Sequence, residues 1–232
     1  MPLFITRKAG FNSSLYCRCL IAALPLNTIT KGYLPLMAIE AEHRAMEQFP
    51  PEGLKTERVV LRPANSQYTG ALLIYRLANR AHLDRWEPLR EDSFFTMQAA
   101  NERMALMENA MSAGTALHLL IFSSERRHVL IGDCHFTNIV RGPLQACHLG
   151  YSIDQRYEGR GLMHEALAAA LGFIFDAYRL HRVMASYRPE NDRSGRLLAS
   201  LGFEHEGLAK AYLKIDGQWA DHVLTSLVNP KD

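Results

Sequence analysis

Two short stretches hold residue types that bind a phosphorylated ligand. The first is Arg156-x-x-Gly159-x-Gly161, followed at once by the apolar-periodic run Leu162 to Tyr178. Glycines there let backbone N–H groups approach a ligand, and a helix N-terminus adds partial positive charge. Together they make a pyrophosphate cradle, in which a side chain on Gly161 would take the ligand's place. Competing phosphate motifs fit worse. A dinucleotide fingerprint wants a third glycine where His164 stands, and an acid near the end of the next strand, where Tyr187 stands. No Gly-Lys-Ser/Thr follows, so this is no P-loop. The second stretch, Asn191-Asp192-Arg193-Ser194, opens another predicted helix, a place where Asn or Asp serves as a cap. Loop and cap close successive strands of one strand–helix–strand unit, and a long ligand can run from one to the other.

Those strands and helices are legible in the patterning. Glu57 to Arg62 reads as a first strand stopped by Pro63, Ser66 to Asn79 as a helix, and His82 to Trp86 as a further turn. Met97, Ala100, Met104, Met107 and Met111 recur at helical spacing and read as core. Strands follow at Leu117 to Phe122, Val129 to Val140 and Cys147 to Ile153, with Arg141-Gly142-Pro143 punctuating the last two. Leu162 to Tyr178 is the strongest helix, its apolar face formed by Met163, Leu167, Ala170, Leu171, Ile174 and Tyr178. A strand at Arg182 to Tyr187 and a helix at Arg193 to Leu201 come next. Two final strands are hinged at Asp216-Gly217. The order is mixed α/β, helices flanking a central run of strands.

Composition limits what this assembly does. The 232 residues, 48% hydrophobic and 22% charged, support a full core and exclude a disordered chain or a rod. A net charge of +2 argues against bulk nucleic-acid binding. Cys17, Cys19, Cys134 and Cys147 make neither a disulfide framework nor a zinc finger, and no metal is expected. No apolar stretch is long enough to span a membrane, so a cytoplasmic protein is expected. Residues 1–55 read as a poorly ordered extension, basic and acid-free to residue 36. The reading is an over-long start, Met37 or Met46 opening a shorter chain. A short helix is expected over 38–48 before Pro50-Pro51. The domain is expected over 56–229.

The order strand, Arg-x-x-Gly-x-Gly loop, long helix, strand, Asn-x-x-Ser helix resembles the GCN5-related N-acetyltransferases (GNAT), over about Thr56 to Asn229. Trp86-Glu87-Pro88, Asn138 to Gly142, Leu149 to Ile153, Gly159 to Met163, Ile215 to Trp219 and Asp221 to Thr225 resemble the RimJ/RimL group, and its alanine-specific members most. The resemblance implies a mostly antiparallel twisted sheet flanked by helices and acetyl-CoA as co-substrate. It also implies, as acceptor, a ribosomal protein's N-terminal α-amine, an alanine of a small-subunit protein, with no direct nucleic-acid or membrane partner. The alternative is a GNAT enzyme that acetylates a small amine, such as an antibiotic or polyamine. A non-catalytic binding protein on the same fold is a third class.

The resemblance also implies site roles. Arg156, Gly159, Arg160, Gly161 and Leu162 should hold the CoA pyrophosphate. Leu149, Tyr151 and Ile153 should line the pantetheine arm, with backbone amides polarising the thioester carbonyl. Asn191 should hydrogen-bond the pantetheine. Ser194 should protonate the leaving thiolate, with Tyr187 as substitute and a helix-cap hydroxyl as the plain reading. The group's general base is a glutamate on the strand after the Asn-x-x-Ser helix. The matching position here is Leu213, which takes no proton, so Glu87 and Asp221 stand as substitutes. A strong base is dispensable, because an α-amine with a pKa of about 7.7–8.0 is already partly neutral at pH 7. Direct attack is expected over a cysteine ping-pong route, since Cys134 and Cys147 read as inert strand residues. His135 and His148 read as packed or solvent-facing.

Overall fold

In the computed structural model, which describes residues 49–126 and 129–232, sheet pairing begins before Thr56. Leu54–Lys55 (β1) pairs with Val59–Pro63 (β2), and Phe49 packs edge-on against Phe173 at 4.9 Å between ring centroids. The ordered domain therefore takes in the end of the expected 1–55 extension. The helix expected over 38–48, Cys17 and Cys19 lie outside the described residues.

Eight strands form one sheet in the order β1-β2-β3-β4-β5-β6-β8-β7. The others are β3 (Leu117–Ser123), β4 (Leu130–Val140), β5 (Ala146–Ile153), β6 (Arg182–Tyr187), β7 (Glu204–Ile215) and β8 (Gln218–Val228). Every pairing is antiparallel except β5 with β6, as the crossover helix between them requires. Asp216 and Gly217 both take positive φ, 46° and 75°, so a two-residue turn matched to strand twist joins β7 to β8.

The helices are α1 (Thr69–Ala78), α2 (Arg80–Leu83), α3 (Met97–Ser112), α4 (Leu162–Tyr178) and α5 (Asp192–Ser200). The run expected as one helix from Ser66 is broken: Asn65 caps a 3-10 turn at Ser66–Tyr68 before α1 begins. Of the methionine stripe, Met104 and Met111 are buried but Met97, at the open first turn of α3, is 51% exposed and leaves the core. The α4 face is buried as patterned, with Met163, Leu167, Ala170, Leu171, Ile174 and Tyr178 all inside. Each such large side chain contributes about 1.5–3 kcal/mol on burial.

The two helical layers lie on opposite faces. A Cβ on Gly132 would meet Met163 of α4 at 3.5 Å, whereas its neighbour Asp133 binds Arg76 of α1 at 2.6 Å. Adjacent strand residues point to opposite faces.

Candidate active site

The sheet parts in its middle. β5 and β6 pair only over Ala146–Leu149 with Arg182–Ala185, while β5 runs on to Ile153 and β6 to Tyr187. β6 stays tied to β8 as far as Tyr187 with Val223. The hydrogen-bonding groups of Gly150 to Ile153 that face β6 thus lack a strand partner. Backbone groups so placed need one, and an extended, amide-bearing arm laid along β5 supplies it.

The glycine loop sits at the end of that cleft. Asp154, buried, starts it by accepting the Arg156 amide at 2.8 Å and binding its guanidinium at 2.6 Å. Burial works against its charge, but these bonds and that from Asn79 hold its carboxyl below the usual range. Gly159 and Gly161 take φ of 70° and 73°, a region that disfavours side chains. Arg58 braces the loop from behind: it donates to the Arg160 carbonyl at 2.8 Å and pairs with Glu165 at 2.6 Å. The amides of Gly159, Arg160, Gly161 and Leu162 find no acceptor among the described residues. With the α4 N-terminus they fit a pyrophosphate. One detail departs from expectation. A Cβ on Gly161 would point at the Arg58 guanidinium, 3.5 Å away, so this glycine serves backbone conformation more than ligand clearance.

On the α4 face of the splay three hydroxyls meet. Tyr151 Oη and Ser194 Oγ lie 2.6 Å apart, bridging β5 to the first turn of α5. Tyr187 leans on the same turn, where a Cβ on Gly195 would come within 2.9 Å of its hydroxyl. Burial pushes the Tyr151 pKa up to about 12, so it keeps its proton. Ser194 is not the helix cap. Asn191 is, its Oδ1 accepting the Ser194 amide at 3.1 Å. The Ser194 hydroxyl is free of cap duty and aimed across the cleft.

The other face carries a polar network that sequence reasoning missed. Arg76 binds Glu87 and Asp133, each at 2.6 Å. Asp133 accepts from Ser152 at 2.5 Å, and Ser152 contacts Tyr75 at 2.8 Å. His135 Nε2 lies 3.4 Å from Asp133, and its Nδ1 is 2.9 Å from Nδ1 of His118. Burial opposes the Asp133 charge, yet Arg76, His135 and Ser152 hold its carboxyl well below the usual range. Burial and His135 lower the His118 pKa to about 4. The one available signal was an Asp inside the apolar run Leu130–Phe136, since a buried charge demands partners.

The structure thus gathers Tyr151, Tyr187, Asn191 and Ser194 at the splay, with Gly159, Arg160, Gly161 and Leu162 at its end. Leu149 is buried at the fork and Ile153 borders the loop. Arg156 lies beside them, but its guanidinium is spent on Asp154. Glu87 is held by Arg76. Asp221 instead accepts the Ala211 amide at 2.8 Å, securing a bulge in the β7–β8 hairpin. His135 is neither simply packed nor solvent-facing, since Asp133 and His118 both engage it. Cys134 and Cys147 are buried free thiols whose pKa values burial raises, to about 12 for Cys147. They are poor nucleophiles there.

Residues 58–204 match the acetyltransferase (GNAT) domain family. The chain belongs to the GNAT family. This GNAT enzyme is 44% identical over 181 residues to the [ribosomal protein uS5]-alanine N-acetyltransferase of Escherichia coli, covering 78% of this chain and 93% of that one. The crystal structure of the ribosomal-protein-S5-alanine acetyltransferase from Vibrio fischeri superposes with a TM-score of 0.72 at 38% identity, over 76% of this chain and 96% of that chain. RimJ of Mycobacterium smegmatis, solved in complex with CoA-disulfide, gives 0.70 at 31% identity, over 75% and 83%. In this GNAT enzyme the single parallel pair, β5 with β6, is where the sheet parts. No helix among the described residues is long and apolar enough to cross a membrane.

Proposed function

We propose that this GNAT enzyme moves the acetyl group of acetyl-CoA to the N-terminal α-amine of a ribosomal protein, an alanine in the small-subunit protein uS5 class. The observation that carries this is the 44% identity to an enzyme of that name, over 93% of that enzyme's length and 78% of this chain. The small-amine alternative is not the reading this similarity favours. Such an acceptor is made in the cytoplasm, and the proposal puts the enzyme there.

The chain's own groups then divide the work. Amides of Gly159 to Leu162 hold the pyrophosphate, and the freed edge of β5 takes the pantetheine amides. Asn191, whose Oδ1 is used by the cap, offers its side-chain N–H to the same arm. The neutral α-amine attacks the thioester carbon, and a β5 amide receives the oxyanion. Collapse breaks the C–S bond. Ser194, hydrogen-bonded to Tyr151, gives its proton to the thiolate, and the proton released by the amine passes through water to restore the Ser194 hydroxyl. Glu87 serves Arg76 in this scheme rather than taking that proton.

Acetyl-CoA and a panel of N-terminal peptides provide the test. Acetylation of alanine-starting peptides at the α-amine, with lysine side chains left alone, is expected. Acetylation of polyamines with no peptide turnover overturns the proposal.

A further inference from the structure

The segment joining α2 to α3 is tied to the end of β6 and to the β7–β8 turn. Arg188, directly after β6, donates to the Arg85 carbonyl at 3.0 Å, and the Asp216 amide of the β7–β8 turn donates to the Glu87 carbonyl at 3.0 Å. Two guanidiniums here have no acid. Arg103 of α3 lies over the Phe94 ring at 3.8 Å from its centroid, and Arg90 lies over the same ring at 4.7 Å. Nε of Arg90, and Nε and Nη2 of Arg103, face inward with no hydrogen-bond partner among the described residues. The neighbouring acids are taken, for Glu87 and Asp133 both bind Arg76. Burial and the charges of Arg76 and Arg90 accordingly lower the Arg103 pKa.

Stacking on a ring attracts a cation but gives its N–H groups no acceptor. Arg76, Arg90 and Arg103 against Glu87 and Asp133 leave one positive charge in excess on the side of the sheet where Ser152 of the splayed β5 edge binds Asp133. We propose that Arg90 and Arg103 form a carboxylate subsite for the acceptor chain, receiving an Asp or Glu side chain that follows the acetylated α-amine. This rests on the peptide-acceptor reading above. A guanidinium fork matches a carboxylate in two parallel hydrogen bonds, and long side chains turn to present them. Arg90, Phe94 and Arg103 are each partly exposed, so the cluster is reachable from the surface. A single excess charge suits one carboxylate, whereas a nucleic-acid backbone calls for a row of exposed cations.

The experiment compares alanine-starting peptides that differ only by Glu or Gln at one residue after the alanine, using the full chain and acetyl-CoA. At one such residue the Glu peptide should be favoured by about 10-fold in kcat/KM, carried by KM and shrinking as salt is added. Arg103→Gln and, separately, Arg90→Gln should each bring that ratio below about 3-fold, with Arg103→Lys restoring part of it. Melting temperatures check that the variants fold, and the peptide and salt comparisons stand on the unaltered chain alone. Equal use of Glu and Gln peptides, or a ratio kept in both Gln variants, overturns the subsite while leaving peptide acetylation standing. Failure to acetylate any N-terminal peptide overturns the underlying reading instead. Equal use of both peptides with Arg103-dependent inhibition by an RNA oligonucleotide assigns the cluster to phosphate, and the carboxylate proposal falls.

Discussion

Ser194 and Tyr151 share a short hydrogen bond, which holds the Ser194 hydroxyl at the cleft while Tyr151 keeps its own proton. Ser194→Ala should lower kcat by about 10²-fold with little change in CoA affinity. Since Asn191 does the capping, the same change should cost only about 1 kcal/mol of stability, one hydrogen bond's worth. Steady-state kinetics beside a thermal melt decides it. A kcat loss under about threefold makes the pair structural and turns attention to Tyr187. A second residue-scale expectation concerns acid. The folded His118 has a pKa of about 4 against an ordinary 6.5. Between those values the unfolded chain binds a proton that the native state refuses. Stability is therefore full above about 6.5 and falls as pH drops toward 4, by up to about 3 kcal/mol at about 1.4 kcal/mol per pKa unit. Below 4, protonation of Asp133 in the unfolded chain continues the loss. Urea titrations across pH 7 to 4 measure the slope, which His118→Asn should flatten.

Among the elements, β4 and β5 meet too closely at Gly132 for any side chain. A Cβ there would lie 2.5 Å from the Ser152 carbonyl oxygen, which is backbone and cannot swing aside. Gly132→Ala should cost about 1–3 kcal/mol and, by shifting β5, reduce turnover as well. A denaturant midpoint left in place would refute that packing. Elements of this kind were largely readable. The limits of α4 and β6 follow from periodicity, and the closing turn from Asp216-Gly217. Reading stopped short where spacing carries no signal. Met97 fits the helical period, yet at the first turn of α3 it is left half exposed. Arg76 and Asp133 are 57 positions apart, and Tyr151 and Ser194 are 43 apart, so only the folded sheet joins them. Tyr151 was legible as a wall of the cleft but not as a hydroxyl partner. Arg58 was invisible because its task, bracing the loop, is set by Glu165 and the Arg160 carbonyl 102 residues on.

For the whole molecule, the domain's edge is β1 together with Phe49. Removing residues 1–55 should lower the melting temperature by at least about 5 °C, because Phe49 leaves its contact with Phe173 and β2 loses its neighbour. Calorimetry of the truncated chain tests this, and an unchanged melt would make the edge dispensable. At the other side of the sheet, β6 is gripped by only four residue pairs from β5 but by six from β8. One wall of the proposed CoA slot is thus registered by β8, a strand that follows it in the chain by more than 30 residues. Synthesis runs from N- to C-terminus, and a nascent chain halted before Gln218 has its glycine loop and β6 but no β8 to fix the slot's width. Under the proposed function, the cofactor slot is therefore set only once the β7–β8 hairpin has been made.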